Sequence, residues 1–265
     1  MNLVIKISGK NIDREKDSIS LPVKRLWDAG HQVALVHGGG PQITSLMNRL
    51  GREARFVEGL RITGAEDMDI TEMALSGSLN KALVGMLFVR GVPACGISGR
   101  DAGLLIAEQE ILEREGEKID LGRVGKIVQV NPALVEVLWA ARIVPVISPV
   151  STDRDGRGLN VNADWAAVKL AEALRVEQLF LFTDVPGVLA DLHDPATLIR
   201  ELPVVEIDTL IVEKIAGGGM LPKLRMAQEA ISVGVREVFI AGGGALDNLD
   251  AFLTGGGTLP ATRVF

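Results

Sequence analysis

The run Val33-Ala34-Leu35-Val36-His37-Gly38-Gly39-Gly40-Pro41 restricts this chain more than any other. Four apolar residues, two of them β-branched, read as a strand buried on both faces, the kind found in parallel sheets. Three glycines end the strand, and Ile43, Leu46, Met47 and Leu50 then recur at helical spacing. A strand that stops in glycines just ahead of a helix brings bare backbone N–H groups to a helix N-terminus, where they can hold an anion. A tight turn needing positive φ accounts for one glycine. Three in a row favour a phosphate or oxyanion cradle.

The rest of the pattern repeats that unit. Strands are expected at 2–8, 32–36, 94–98, 143–148, 178–183 and 237–241, and helices at 21–29, 41–50, 65–89, 132–141, 163–174 and 223–233. Alternation of this kind implies an α/β fold with a mainly parallel central sheet and helices on both faces. Residues 56–63 read as extended, and short alternating runs over 104–130 suggest β-hairpins, giving two lobes plus hairpin excursions. The lobe boundary is expected near 175–178, dividing the chain into 1–176 and 177–265. Within 65–89, Met68, Thr71, Leu75, Leu79, Leu83 and Met86 form one stripe, a core face long enough to serve also as a partner surface.

Composition narrows the function classes. The chain has 265 residues and a net charge of −6, which disfavours a nucleic-acid binder, normally basic on one face. Cys95 is the single cysteine, read as a small buried residue; no disulfide framework can form within the chain, and a reducing cytoplasm is the expected location. Residues 1–8 enter a strand with no basic leader, and no apolar run approaches about 18 residues, so neither secretion nor membrane spanning is expected.

Glycine clusters follow several strands: Ser8-Gly9, Gly38 to Gly40 and Gly242 to Gly244, with another at Gly217 to Gly219. In parallel sheets ligands bind beyond the strands' carboxyl ends, so these clusters can converge on one crevice. The P-loop pattern and the dinucleotide fingerprint are both missing, which disfavours an ordinary P-loop enzyme or dehydrogenase. Lys6 lies inside an otherwise apolar strand, a costly place for a charge unless an anion or partner neutralises it. Lys223 follows the fourth glycine cluster; a surface lysine at a helix start is the competing reading. Asn160-Val161-Asn162-Ala163-Asp164 has more polar residues than a helix cap requires. Arg61 can clamp a carboxylate bidentately or serve as a plain surface charge. His31, His37 and His193 lack metal-ligand spacing, and His37 reads as part of the turn. No Gly-x-Ser-x-Gly nucleophile elbow occurs.

The segments Lys6-Ile7-Ser8-Gly9, Val36-His37-Gly38-Gly39-Gly40-Pro41, Gly59-Leu60-Arg61-Ile62-Thr63, Asn160-Val161-Asn162-Ala163-Asp164, Thr183-Asp184-Val185-Pro186-Gly187 and Gly219-Met220-Leu221-Pro222-Lys223 together resemble the amino acid kinase family. Their order and spacing are similar to the branch that phosphorylates N-acetyl-L-glutamate in arginine biosynthesis, and the resemblance covers nearly the whole chain. It implies ATP and Mg²⁺ as cofactors, no metal ligands from protein side chains, and transfer of the γ-phosphate to a side-chain carboxylate. Carried over, Lys6 and Lys223 would stabilise the transferred phosphoryl group, with Asp164 holding both. Gly9, Gly38 and Gly39 would donate N–H groups to phosphate and acceptor oxygens, and Arg61 and Asn160 would bind the acceptor. Asp184, Val185, Pro186, Gly187, Val188 and Leu189, with Ile215, Ala216 and Gly217, would lie along the nucleotide. Residues 1–176 would form the acceptor-binding and dimerisation lobe and 177–265 the ATP-binding lobe, with a homodimer through the 65–89 helix of the arginine-insensitive kind.

Two positions depart from the family pattern. Ser8 stands where the first loop usually has glycine, and Gly64 follows Thr63 where acetylglutamate-phosphorylating members commonly have aspartate. A sister kinase acting on an aminoadipate derivative or another small acceptor, or a non-catalytic nucleotide or amino-acid sensor, remain the competing readings.

Overall fold

A computed structural model describes residues 1–12, 17–114, 116–191, 193–212 and 220–265. In β1 (Asn2–Ile7) successive side chains enter opposite cores. Leu3, Ile5 and Ile7 pack into one; Val4 packs into the other, so period-two alternation puts Lys6 on Val4's side of the sheet.

The chain continues through α1 (Gly9–Ile12), α2 (Asp17–Asp28), β2 (Gln32–His37) and α3 (Gly40–Arg49). The short hairpin β3 (Phe56–Val57) and β4 (Leu60–Arg61) leads to α4 (Ala65–Glu72), a π-helical turn (Met73–Leu79) and α5 (Asn80–Val89). Next come β5 (Ala94–Ser98), the long hairpin β6 (Leu105–Arg114) and β7 (Glu117–Val130), α6 (Ala133–Ala140) and β8 (Val144–Ser148). The short strands β9 (Val150–Thr152) and β10 (Gly158–Asn160) precede α7 (Ala163–Ala173) and β11 (Gln178–Thr183). The remainder comprises β12 (Glu201–Leu202), α8 (Ile207–Val212), α9 (Met220–Ser232), β13 (Glu237–Gly242), α10 (Leu249–Leu253) and β14 (Ala261–Val264).

Eight strands form one sheet in the order β12-β14-β13-β11-β1-β2-β8-β5, parallel throughout except where β13 meets β14. The expected α/β class is borne out. The run at 104–130 is one long hairpin rather than several; with β9 and β10 it closes into a small four-stranded barrel. Strand order turns at β1: β2, β8 and β5 lie on one side, and β11, β13, β14 and β12 on the other. That switch point opens a crevice at the strands' carboxyl ends, where Lys6, Gly38, Thr183 and Gly242 all arrive.

The stretch 65–89 is helical but is not one regular α-helix. Leu75, Leu79, Leu83 and Leu87 are buried four residues apart, a spacing that drifts off a 3.6-residue turn. The π turn absorbs the drift, so Leu87 rather than Met86 continues the stripe. Cys95 is half-buried against the sheet rather than fully enclosed.

His37 is not part of the turn either. It is the last residue of β2 and is wholly buried. Its Nδ1 lies 3.1 Å from the Gly38 carbonyl, which can only accept, so Nδ1 carries the proton. Nε2 then accepts from Asn80 Nδ2 at 3.2 Å, while the same amide donates to the Val146 carbonyl at 2.9 Å. Burial pushes the imidazole pKa from 6.5 down to about 4, with the Gly38 carbonyl opposing slightly. An unfolded chain therefore binds more protons between those values, and His37 contributes stability that is complete above the unfolded pKa and drains as pH falls toward the folded one. Lowering the pH from 7.5 to 5 costs about 2 kcal/mol through this residue alone. Urea titrations of wild type and His37→Gln at both pH values check this: the variant loses less stability on acidification, and equal losses would remove the assignment.

Candidate active site

Asn162 caps α7, its side chain accepting the Asp164 N–H at 2.8 Å. This fixes Asp164 in the first helical turn, where the helix dipole favours a carboxylate. The α7 helix covers the face of β1 that carries Lys6, so the two charges meet inside the protein: Lys6 Nζ lies 2.6 Å from Asp164 Oδ1. Lys223, in the first turns of α9, approaches Oδ2 at 3.3 Å. Side-chain exposure is 8% for Lys6, 10% for Asp164 and 18% for Lys223, so this is a largely dehydrated triad. Burial works against the charged carboxylate, but the ammonium groups of Lys6 and then Lys223 outweigh it and hold Asp164 below the usual carboxylate range. A second link joins the same helices: Lys169 on α7 bridges Glu172 at 3.1 Å and Glu229 on α9 at 3.0 Å.

Lys6 and Asp164 line a cavity of about 270 Å³, together with Gly9, Gly38, Gly39, Arg61 and Asn160. The glycines are there for space. None of Gly38, Gly39 and Gly40 adopts positive φ. A Cβ on Gly9 would stand 2.6 Å from Gly39 Cα, backbone against backbone, and one on Gly39 would strike Leu75 Cδ2 at 2.3 Å. The first two glycine loops thus touch each other, and the π turn packs onto the second. Gly38 N–H is engaged with the Ile7 carbonyl at 3.0 Å, extending the β1–β2 ladder, so Gly38 shapes the wall. Gly39 is the N-cap of α3, whose N-terminus opens on the cavity.

The cavity lining also holds a buried guanidinium, bonded to the second glycine loop. Arg61 is 6% exposed and donates to the Gly40 carbonyl at 3.0 Å and to Thr44 Oγ1 at 2.9 Å, with the Phe56 ring 4.7 Å beneath it. Burial lowers its pKa, and Asp67 works in the opposite direction. All these direct contacts are neutral. Asn160 Nδ2 donates to Thr63 Oγ1 at 3.2 Å, and that hydroxyl donates to the Arg61 carbonyl at 2.8 Å. Thr63 and Thr44 therefore orient Arg61 and Asn160; Thr63 lies in the quoted motif, but nothing in sequence marks Thr44.

Asp184 stands just past the carboxyl end of β11. It is exposed, as are Val185 and Pro186, whereas Gly187, Val188 and Leu189 are buried. The Val188 N–H is taken by Thr262 Oγ1 at 2.8 Å. Of the nucleotide segment expected here, the open part is thus Asp184 to Pro186. Ile215, Ala216 and Gly217 lie outside the described residues. Lys10, which no sequence motif singles out, donates to Asp184 Oδ2 at 2.6 Å, and this contact first of all draws the Asp184 carboxyl down to about 2.

The model of the amino acid kinase family matches residues 1–242. The chain belongs to the amino acid kinase family. Among its relatives, the acetylglutamate kinase of Methanopyrus kandleri is 44% identical over 256 residues, covering 97% of this chain and 98% of that protein. The acetylglutamate kinase of Halorhodospira halophila is 39% identical, covering 91% of this chain and 82% of its own length. Among solved structures, smu.665 of Streptococcus mutans superposes with a TM-score of 0.80 at 26% identity, covering 99% of this chain and 98% of that one. The Giardia lamblia carbamate kinase bound to AMP-PNP shares the fold, with a TM-score of 0.63 at 16% identity over 100% of this chain and 98% of its own. As in the family resemblance, the two lysines, the first two glycine loops and the motif around Asp164 fall together in space, although they lie far apart in sequence; the cluster Gly217 to Gly219 lies outside the described residues.

Proposed function

We propose that this amino acid kinase transfers the γ-phosphoryl group of ATP to the side-chain carboxylate of N-acetyl-L-glutamate, forming an acyl phosphate for arginine biosynthesis. The observation that carries this reading is Asp164, gripped by Lys6 and Lys223 beside a cavity that Arg61 also lines. The acetylglutamate kinase relatives support the acceptor.

In the proposed reaction a carboxylate oxygen attacks the γ-phosphorus, the bond to the β-phosphate oxygen breaks, and ADP leaves. Such transfer needs positioning and positive potential more than covalent help. Lys6 and Lys223 supply fixed ammonium groups for the charge spread over the transferred phosphoryl oxygens. Asp164 takes no proton, since its carboxyl is held below the usual range; its two oxygens hold Lys6 and Lys223 in place. Gly9 and Gly39 let two loops and a helix N-terminus close around the reacting oxygens. Arg61, whose hydrogen-bond partners among the described residues are neutral, is the natural clamp for the acceptor's α-carboxylate, with Asn160 on its amide. Among the described residues no cluster of three His, Cys, Asp or Glu side chains forms a metal site, so Mg²⁺ is proposed to enter on the triphosphate oxygens and to neutralise part of their charge.

Residues 1–176 are proposed as the acceptor half and 177–265 as the nucleotide half, meeting at the β1–β11 ladder. No helix among the described residues is long and apolar enough to cross a membrane, and a cytoplasmic setting is part of the proposal. A homodimer through 65–89 is proposed from Phe88 and Val89, which are 78% and 82% exposed on α5. Sedimentation velocity returning only monomer at micromolar concentration would remove that last element.

Purified protein supplied with ATP, Mg²⁺, acetylglutamate and hydroxylamine should yield a hydroxamate. Turnover of an aminoadipate derivative in its place would replace the acceptor and keep the kinase, a result to which Gly64 gives some basis. Nucleotide binding with no acceptor-dependent ADP release would leave a sensor.

A further inference from the structure

We propose that Lys10 binds the β- and γ-phosphates of the nucleotide, exchanging Asp184 for them as the nucleotide enters. This rests on the nucleotide reading of the crevice given above, and it assigns a role to a side chain that neither the glycine-loop motif nor the lysine–aspartate triad includes.

Placement comes first. Lys10 follows Gly9, the residue whose missing Cβ allows the two glycine loops to touch. Its side chain lines the same cavity as Lys6 and Asp164. From there it reaches across the switch point: β1 and β11 are adjacent strands, and Lys10 Nζ meets Asp184 Oδ2 at 2.6 Å just beyond their carboxyl ends. Thr183 Oγ1 donates to the other Asp184 oxygen at 3.0 Å, holding the carboxylate at the crevice mouth. A polyphosphate that reaches Lys6 through this crevice passes the pair.

Burial decides which ion pair opens. Lys6 and Asp164 are about a tenth exposed or less, and separating them would strand a charge in the interior. Lys10 and Asp184 are 61% and 46% exposed, so either can be rehydrated and the pair is weakly held. An incoming polyphosphate offers Lys10 several negative charges in place of one. It also gives Lys10 a reason to be here: Lys6 and Lys223 are already shared with Asp164, and the approach to them is flanked by the ionised Asp184. Lys10 screens that carboxylate until the phosphates arrive.

The test is equilibrium binding of AMP, ADP and ATP, each without acceptor, to the full-length wild type, Lys10→Met, Lys10→Arg and Asp184→Asn, and to the Lys10→Met/Asp184→Asn double variant. The expected result is graded by phosphate: AMP affinity unchanged in Lys10→Met, ADP and ATP weakened at least tenfold, and most of the loss restored in Lys10→Arg. Removing Lys10 in the Asp184→Asn background should weaken ATP by at least the same factor, because the competing carboxylate is gone. Equal weakening of all three nucleotides, or no weakening, would overturn the proposal. So would a Lys10 effect that vanishes once Asp184 is neutral, since Lys10 would then act only as a strap. Wild type that binds ADP and ATP but makes no acyl phosphate refutes the kinase reading and leaves this one standing. Wild type that binds no adenine nucleotide sinks both.

Discussion

Replacing Lys6 with methionine lowers kcat by about a thousandfold, equivalent to about 4 kcal/mol of transition-state stabilisation, and changes the acceptor's KM by less than about threefold. Methionine matches the lysine stem and the buried surroundings of β1, so the fold is retained while the ammonium group beside Asp164 is lost. Arg61, the proposed acceptor clamp, is held by Gly40 and Thr44 rather than by Lys6 and is untouched. Steady-state kinetics on a variant whose circular dichroism matches wild type, assayed well below its own unfolding midpoint, decides the matter. Unchanged turnover would take Lys6 out of the reaction; a loss confined to the acceptor's KM would move it to substrate binding.

The second large effect is on stability. Asp164→Ala leaves two ammonium groups facing each other in a dehydrated pocket and costs about 3–5 kcal/mol of unfolding free energy. Removing the buried charge together with one partner, as in Lys6→Met/Asp164→Leu, restores most of it, because a well-packed apolar pair in this position has no desolvation cost to meet. That double variant is stable and catalytically dead. Denaturant titration of the four corners of the cycle gives the coupling directly. Additive losses would show that the residues act separately.

The elements that carry the site were readable in the sequence, for identifiable reasons. β1, β2, β11 and β13 are short apolar runs closed by glycine or a polar turn, and a lysine inside such a run announces a partner. That partner lies 158 residues downstream by the numbering, and only the family resemblance linked it to Lys6 beforehand. The glycines were read as an anion cradle, but the requirement they meet is contact: loop against loop at Gly9 and Gly39, and side chain against loop at Leu75. Close approach between distant segments has no local signature. The π turn did leave one, the run of leucines at spacing four, which a search for helical period alone folds into an ordinary stripe. The strands β9, β10, β12 and β14 are two to four residues long and owe their existence to the barrel and the sheet edge. Their own propensities are too short to be heard. His37 was misjudged because a polar residue before three glycines looks like part of a turn. Its environment is set by Asn80, more than forty positions away.

The ties between α7 and α9 bear on economy of fuel. Asp164 belongs to the helix that follows the barrel, whereas Lys223 rides on a helix of the proposed nucleotide half, and the Lys169–Glu229 bridge fastens one to the other. If α9 swings outward, the first consequence is electrical: Lys223 departs and Asp164 is left with Lys6 alone. In the proposed reaction a gaping molecule of this kind would be a poor hydrolase, because the lysine pair assigned to the phosphoryl group is dismantled by the same motion that admits water. Under that proposal the seam between the two helices doubles as a safeguard against idle consumption of ATP.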